Sequence, residues 1–383
     1  MPDVIDVLAD LVAIPSVNPM GSPREEPEFG EARVADYVVR FLERHGIRAE
    51  RRPVYPGRDN VLAHVPGRRR PGSVLFETHM DTVRVERMSI APFEPVQREG
   101  RLYGRGACDA KASLAAMLTA LVQAQRRTPS ADVWLCAAVD EEYTFGGAAH
   151  LVQSGFRTDY ALVGEPTRLR VVTAHKGAVR WRVLANGRSA HAATPWEGDN
   201  AIYRMASVIR ALEEHAKVLQ ALPPHPRLGP RTLSVGTIEG GQTVNTVPDR
   251  CTIAVDRRVV PGEALPEVAA SIEALLAEAG VDEQVEVSEI LRDSPLETPE
   301  GAPWVQTVLA AARSVTDAET AAVHYGTDAS KFADVGIISV VVGPGDIAQA
   351  HTAEEWVGMK EVLAATEMYR LLMEGGAAGE GSG

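Results

Sequence analysis

Ser73-Val74-Leu75-Phe76-Glu77-Thr78-His79-Met80-Asp81-Thr82-Val83 is the stretch from which this chain is best read. Its first half is short and apolar, which predicts a buried strand over Ser73–Glu77. At its end His79 and Asp81 stand two residues apart, on one side of an extended chain. A histidine whose one ring nitrogen is held by a carboxylate or carbonyl offers the other nitrogen to a metal. Alone, such a pair is more often a structural histidine than a ligand.

The pattern repeats outward. Upstream lie helical periodicities over residues 3–14 and 30–46, separated by the Gly/Pro/Glu-rich loop Met20 to Gly30, and then an apolar strand over Asn60–Val65. Downstream come a helix over Lys111–Arg127 and strands over Val133–Val139 and Tyr160–Val163. This alternation predicts an α/β domain around a buried, mainly parallel sheet. The pattern changes at His175-Lys176-Gly177. Strand Ala178–Ala185, helix Asn200–Leu222, strands Thr232–Ile238 and Cys251–Val255, helix Glu263–Ala279 and strand Gln284–Ile290 give the order βαββαβ, a small α+β unit complete in itself. A helix over Trp304–Ser314, a strand over Ile337–Val342 and a helix over Val357–Met373 then restore the first pattern. The expected organisation is one α/β domain made of residues 1–177 and 292–374, an inserted domain over 178–291, and a flexible glycine-rich tail over 375–383.

The 383 residues carry a formal net charge of -13 with a pI of about 5.3, which excludes the basic footprint of a nucleic-acid binder. The run Arg68-Arg69-Arg70 beside Pro71-Gly72 reads as a solvated turn. Three widely spaced cysteines, Cys108, Cys136 and Cys251, imply no disulfide framework. Residues 1–19 lack the basic start and apolar core of a signal peptide, and no run of eighteen apolar residues offers a membrane span. The expectation is a soluble, cytoplasmic protein. Gly104-Arg105-Gly106 lacks the third glycine of a dinucleotide-binding turn.

Acids and histidines cluster where strands end. Asp109 closes the turn Tyr103–Cys108 just before a helix, as an ordinary N-cap or as a carboxylate able to bridge two cations. Glu141 and Glu142 follow Val133–Val139, either as a charged loop or as adjacent groups facing opposite ways in two roles. Glu165 follows Tyr160–Val163, and His351 follows the last strand and Gly343-Pro344-Gly345. Ligands of open α/β sheets bind beyond the carboxyl ends of strands. Five strand ends presenting such groups do not coincide by accident. Carboxylates and imidazoles without thiolates suit zinc, cobalt or manganese.

With these motifs in view, nearly the whole chain resembles the co-catalytic zinc amidohydrolases that include acetylornithine deacetylase, succinyl-diaminopimelate desuccinylase, aminoacylase and bacterial glutamate carboxypeptidase. The resemblance rests on His79-x-Asp81, Gly104-Arg105-Gly106-x-x-Asp109-x-Lys111, Glu141-Glu142, Gly164-Glu165-Pro166-Thr167 and His351. It extends to Gly187-x-x-Ala190-His191, Gly240-Gly241 with Asn245, and Asp256-x-Arg258. Departures are Thr78, where the family often has glycine, and Ala110 and Ala112, where methionine and glycine often flank the motif lysine; none is a ligand position. The resemblance implies two divalent ions bridged by Asp109, one also held by His79 and Glu165, the other by Glu142 and His351. It implies that Asp81 orients His79, that Glu141 is the general base, and that the inserted domain serves as lid and dimerisation domain. His191 would reach the neighbouring subunit's site of a homodimer and aid the oxyanion; a surface histidine is its other reading. Asn245 and Arg258 would hold substrate, with a salt bridge inside the insert as the alternative for Arg258. Gly326-Thr327-Asp328-Ala329 and Gly343-Pro344-Gly345 look most like acetylornithine deacetylases, which adds Thr327 and Gly345 to the substrate contacts. The expected activity is removal of an acetyl-like group from an N-acylated amino acid. Desuccinylase, deformylase, dipeptidase and carboxypeptidase activities stay open, and a non-catalytic binding protein is the remote alternative.

Overall fold

The computed structural model describes residues 2–21, 26–68 and 72–375. Most of the arginine run, part of the loop after Met20 and residues 376–383 of the tail lie outside the described residues. The chain forms two compact units. One comprises Met1–Thr173, Thr298–Ala321 and Thr327–Gly383, the other Ala174–Glu297 and Ala322–Gly326.

In the first unit the sheet runs, edge to interior, Ala49–Tyr55, Arg58–Val65, Asp132–Ala138, Ser73–His79, Tyr160–Val163, Ile338–Val341, and then the start of Val171–His175. The pairs among Asp132–Ala138, Ser73–His79, Tyr160–Val163 and Ile338–Val341 are parallel. The flanking pairs are antiparallel, so the sheet is mixed with a parallel centre. The parallel strands are the ones with continuous apolar runs, because both their faces are covered. Phe76 meets Tyr369 of the helix Met359–Gly375 edge-on, with ring centroids 6.0 Å apart. Glu77, one residue on, faces the opposite side, as strand alternation requires. The helix Lys111–Gln125 is buried nearly all round, packed by Val4–Val12 and Met359–Gly375. Two large buried side chains have their polar tips satisfied: Trp304 Nε1 donates to the Ala161 carbonyl at 3.0 Å and Tyr369 Oη to that of Val342 at 2.8 Å.

The second unit has a four-stranded antiparallel sheet in the order Thr232–Gly240, Arg250–Val259, Gly177–Asn186, Val285–Asp293. Along Cys251–Val259 buried and half-buried residues alternate strictly, which marks a sheet with one covered face. Trp181, Val183, Ile253 and Val255 form that covered face with Met205 and Leu212 of the helix Ala201–Ala221 and Ile272 and Leu276 of Leu265–Glu278. The α/β fold class and the βαββαβ order expected from sequence are both present.

Candidate metal centre

His79 ends the central strand and Glu165 follows the neighbouring one. The two ends are tied: Gly164 N–H donates to the Glu77 carbonyl at 2.8 Å, and Thr78 Oγ1 donates to that of Gly164, also at 2.8 Å. Gly164 has no room for a side chain, since a Cβ there would come within 2.7 Å of Met117 and Ser113.

Asp109 is not a helix cap. The helix starts at Lys111, its N-cap position is Ala110, and no side chain caps it. The Asp109 carboxylate instead lies between two imidazoles. Oδ1 is 3.2 Å from His79 Nε2, and Oδ2 is 3.3 Å from His351 Nε2. His351 Nε2 also approaches the Glu142 carboxylate at 3.1 Å, and His79 Nε2 lies 3.7 Å from Glu165 Oε1. His351 takes a left-handed backbone with φ of 59°, a conformation histidine adopts more readily than most residues.

Glu141 and Glu142 do not point to opposite sides of an extended chain. Asp140, at φ 68°, turns the strand end into the short helix Glu141–Thr144, so both glutamates sit on its first turn. Donor atoms of His79, Glu141 and Glu165 lie within 4.8 Å of one another, and so do those of His79, Asp109 and Glu142. Glu141 is therefore as close to His79 and Glu165 as a ligand would be.

The tautomer of His79 decides what this cluster needs. Its Nδ1 lies 2.9 Å from the Asp81 carbonyl oxygen, which can only accept, so the ring proton sits there. Nε2 then turns a lone pair toward the oxygens of Asp109 and Glu165. Glu165 Oε1 is buried and receives no hydrogen bond. Acceptors facing acceptors in a buried site require a shared cation or a proton. Burial first, and then the neighbouring charges of Glu165 for Glu141 and Asp109 for Glu142, push both carboxyls above the usual range. Burial also raises Glu165, against the pull of His79, with Asp109 and Glu142 adding to the rise. Asp109 moves the other way: burial would raise it, but once protons occupy the facing nitrogens of His351 and His79, their hydrogen bonds to its oxygens outweigh that. Hydrogen bonds to Asp109 and Glu142 push His351 up to about 10. The donor set, the four carboxylates of Asp109, Glu141, Glu142 and Glu165 and the two imidazoles of His79 and His351 without a thiolate, fits hard to borderline divalent ions. Cys108 is buried beside it, its Sγ against the Asp346 carbonyl at 3.3 Å.

Several supporting groups were invisible in the sequence. The Asp81 carboxylate is 3.6 Å from His79 Nδ1, and it also accepts the N–H groups of Glu141 at 3.2 Å and Glu142 at 3.1 Å. It thus holds the backbone of the two glutamates, while the main-chain carbonyl of Asp81 meets the ring at Nδ1. Asn18 Nδ2 bridges Asp81 Oδ2 at 2.7 Å and Asp140 Oδ1 at 3.0 Å, and Arg58 joins Asp140 to the buried Glu31. Beneath His79, Glu77 and Asp328 form a second, fully buried acid pair. Burial and mutual repulsion raise Glu77 well above its usual range; Asp328 rises to about 7, chiefly through burial. Asn18, Arg58, Glu31 and Asp328 reach the site from distant segments, so no local motif signals them.

Other predicted contacts have local partners. Thr327 is buried and its hydroxyl accepts the Ala329 N–H at 3.3 Å. Gly345, at φ 90°, donates its N–H to Glu361 at 2.9 Å. His191, Asn245 and Arg258 belong to the second unit. His191 is exposed in a two-residue ladder opposite Thr246, and its Nδ1 accepts the Ala193 N–H at 3.1 Å. That bond leaves the neutral ring's proton on Nε2, which is therefore a donor. Asn245 is exposed and its carbonyl accepts the Ala192 N–H at 3.0 Å. Arg258 Nε pairs with Asp256 at 2.7 Å, the salt bridge that the sequence left open.

Comparison with known proteins agrees with this geometry. The model of peptidase family M20/M25/M40 matches residues 75–375. An acetylornithine deacetylase of Myxococcus xanthus is 31% identical over 339 residues, covering 86% of this chain and 88% of its own. The M20 family metallo-carboxypeptidase Sso-CP2 from Sulfolobus solfataricus superposes with a TM-score of 0.83 at 19% identity, over 98% of this chain and 99% of its own. Bacillus subtilis YXEP, described as a dinuclear metal binding peptidase of the M20 family, does so with a TM-score of 0.66 at 15% identity, over 97% and 98%. Acids and imidazoles at the ends of the sheet's strands, and a family match spanning both units, lead to one assignment: the chain is a metallohydrolase belonging to peptidase family M20/M25/M40.

Proposed function

We propose that this enzyme removes an acyl group, acetyl-like in size, from an N-acylated amino acid, with two divalent ions as cofactors. Zinc is the first choice of metal and cobalt or manganese the alternatives. The observation that carries the reading is the Asp109 carboxylate, which turns one oxygen to His79 Nε2 and the other to His351 Nε2. Asp109, His79 and Glu165 would hold one ion; Asp109, Glu142 and His351 the other. When bound, such ions lower the pKa of water toward 7 and polarise an amide carbonyl.

The chain's own residues would do the rest. Glu141, raised by burial and by Glu165, accepts the proton of the attacking water and delivers it to the leaving nitrogen. His191, with Nε2–H outward, donates to the oxygen that gains charge as the carbonyl turns tetrahedral. The terminal nitrogens of Arg258, which its pair with Asp256 does not use, offer a fork for the substrate carboxylate. Asn245 lies on the same hairpin system as His191, and Thr327 and Gly345 contribute through the backbone they shape.

A homodimer belongs to this reading. In the second unit the edge strand Thr232–Gly240 leaves one side of its backbone unpaired, and Trp196, Tyr203, Ile238 and Val244 stand exposed. An edge of this kind invites pairing with a second copy. A cytoplasmic location is part of it too, supported by three buried, unbridged cysteines. Among the described residues no helix is long and apolar enough to cross a membrane.

Dipeptidase or carboxypeptidase activity is the second reading, favoured by the similarity in fold to the metallo-carboxypeptidase. A hydrolysis screen separates the two. N-acetyl, N-formyl and N-succinyl amino acids and dipeptides are each offered with zinc, cobalt or manganese. The fastest turnover is expected on N-acetyl amino acids; turnover confined to dipeptides would replace the first reading by the second.

A further inference from the structure

We propose that Glu355 is a positioning residue: one buried carboxylate pins the Asp109 turn and the His351 loop together and so sets the affinity of the ion between Glu142 and His351. This rests on the two-ion reading above. Glu355 is fully buried, and both its oxygens point into the turn that carries Asp109. Oε1 accepts the N–H groups of Cys108 at 2.9 Å and Asp109 at 3.0 Å. Oε2 accepts the Gly106 N–H at 3.1 Å and Arg105 Nη1 at 2.6 Å. A carboxylate has about four lone-pair sites, and here all are filled by protein donors. Glu355 is thus spent on the turn and is not itself a ligand.

The same residue ends the loop of His351. Its carbonyl accepts the Gly104 N–H at 3.0 Å, and Arg105 Nη2 reaches the carbonyls of Arg84 at 3.1 Å and Thr352 at 3.4 Å. Asp109 and His351 lie far apart in sequence, and Glu355, four residues beyond His351, joins their loops. Half of the His351 side chain is exposed, so packing alone does not fix it.

Glutamine at this position keeps the volume but not the bonding. It offers one acceptor oxygen, and its amide N–H groups would face either two backbone N–H groups or Gly106 and Arg105. A partner that orients metal ligands typically contributes about 10- to 100-fold to metal affinity. The test titrates zinc into chelator-stripped wild type, Glu355→Gln and the exposed neighbour Glu354→Gln, by competition with a chromophoric chelator. Amide hydrogen exchange is measured on the same metal-free proteins. The expected result for Glu355→Gln is a native circular dichroism spectrum, one ion bound roughly 10- to 100-fold more weakly, and faster exchange in residues 105–109 and 351–353 together. Glu354→Gln should match wild type. Should Glu355→Gln fail to fold, Arg105→Met removes one of the four donors to the Glu355 carboxylate, together with the Nη2 bonds to the Arg84 and Thr352 carbonyls, and is expected to speed exchange in the same two segments. Wild-type affinity for both ions, or exchange that rises in only one segment, would overturn the proposal. Wild type that binds fewer than two ions would sink the two-ion reading instead, and exchange in the metal-free proteins would still decide whether Glu355 pins the two loops.

Discussion

Asp109, flanked by two histidine nitrogens, divides the surrounding acids into two groups, and the division makes predictions at single residues. Glu141 and Glu142 share a helical turn, yet only Glu142 touches His351. Glu141→Gln should retain both ions and lose at least about a hundredfold in kcat, the lower range for a general base. Glu142→Ala should lose metal affinity. Metal analysis beside steady-state kinetics distinguishes them, and Glu141→Gln protein stripped of metal would reverse the assignment, a real outcome given how near Glu141 lies to His79 and Glu165. His191→Ala should keep its metal and lose roughly a hundred- to thousandfold in kcat, the worth of one oxyanion donor. At this scale the sequence displayed the histidines and acids themselves, because a group at a strand end is visible in its own motif. It hid Asn18, Arg58, Glu77, Asp328 and Glu355, whose partners arrive from distant segments. It also misjudged the geometry of the adjacent glutamates, because a left-handed Asp140 cannot be read from an apolar strand before it.

Among the elements, the parallel central strands were legible as apolar runs and the longer helices of both units as periodicities, while the short helices Glu141–Thr144, Gly146–Gln153 and Ala329–Ala333 were not. The strand Ala49–Tyr55 was not. It carries Arg51 and Arg52, is only half covered, and is held at the sheet edge by pairing with Arg58–Val65 and by the ion pair of Arg51 with Asp59. An edge strand with one wet face has no continuous apolar signal. Val171–His175 was missed for another reason: five buried residues are too few for a periodicity, and they sit where the chain passes from one unit to the other. The helix Ala201–Ala221 gives a prediction at this scale. Asn200 caps it, its Oδ1 accepting the N–H groups of Ile202 at 2.9 Å and Tyr203 at 3.3 Å. Asn200→Ala should cost about 1 kcal/mol, seen as a melting temperature lower by a few degrees without change in metal content. An unchanged melting curve would mean that packing against the sheet, not the cap, sets the helix start.

For the whole molecule, metal and stability are linked through charge. In metal-free protein Glu141, Glu142 and Glu165 have raised pKa values, and so do His79 and His351. Groups with raised folded-state values bind more protons folded than unfolded, so their stabilisation fades as pH climbs. The window opens at the ordinary glutamate value of 4.5 and closes near 10, where His351 titrates. Metal-free protein should therefore melt progressively lower from pH 6 to pH 9, while the loaded enzyme should show a flatter profile. Parallel profiles would mean that the cluster is not where the ions bind.

The proposed dimer has its own test in subunit exchange. His191→Ala and Glu141→Gln chains, each inactive, should recover part of the activity when mixed if His191 serves the partner's site. No recovery after proven exchange would place His191 in its own chain's site or in a structural role.

The central claim, that one Asp109-bridged pair of ions drives amide hydrolysis, is tested most directly by returning zinc stepwise to chelator-treated enzyme while hydrolysis of an N-acetyl amino acid is followed. The account predicts no turnover without metal, a rise that saturates at two ions per chain, and no rescue at any zinc concentration that leaves Asp109→Ala unfilled. Full turnover in demonstrably metal-free protein, or saturation at one ion with Asp109→Ala still active, would contradict it.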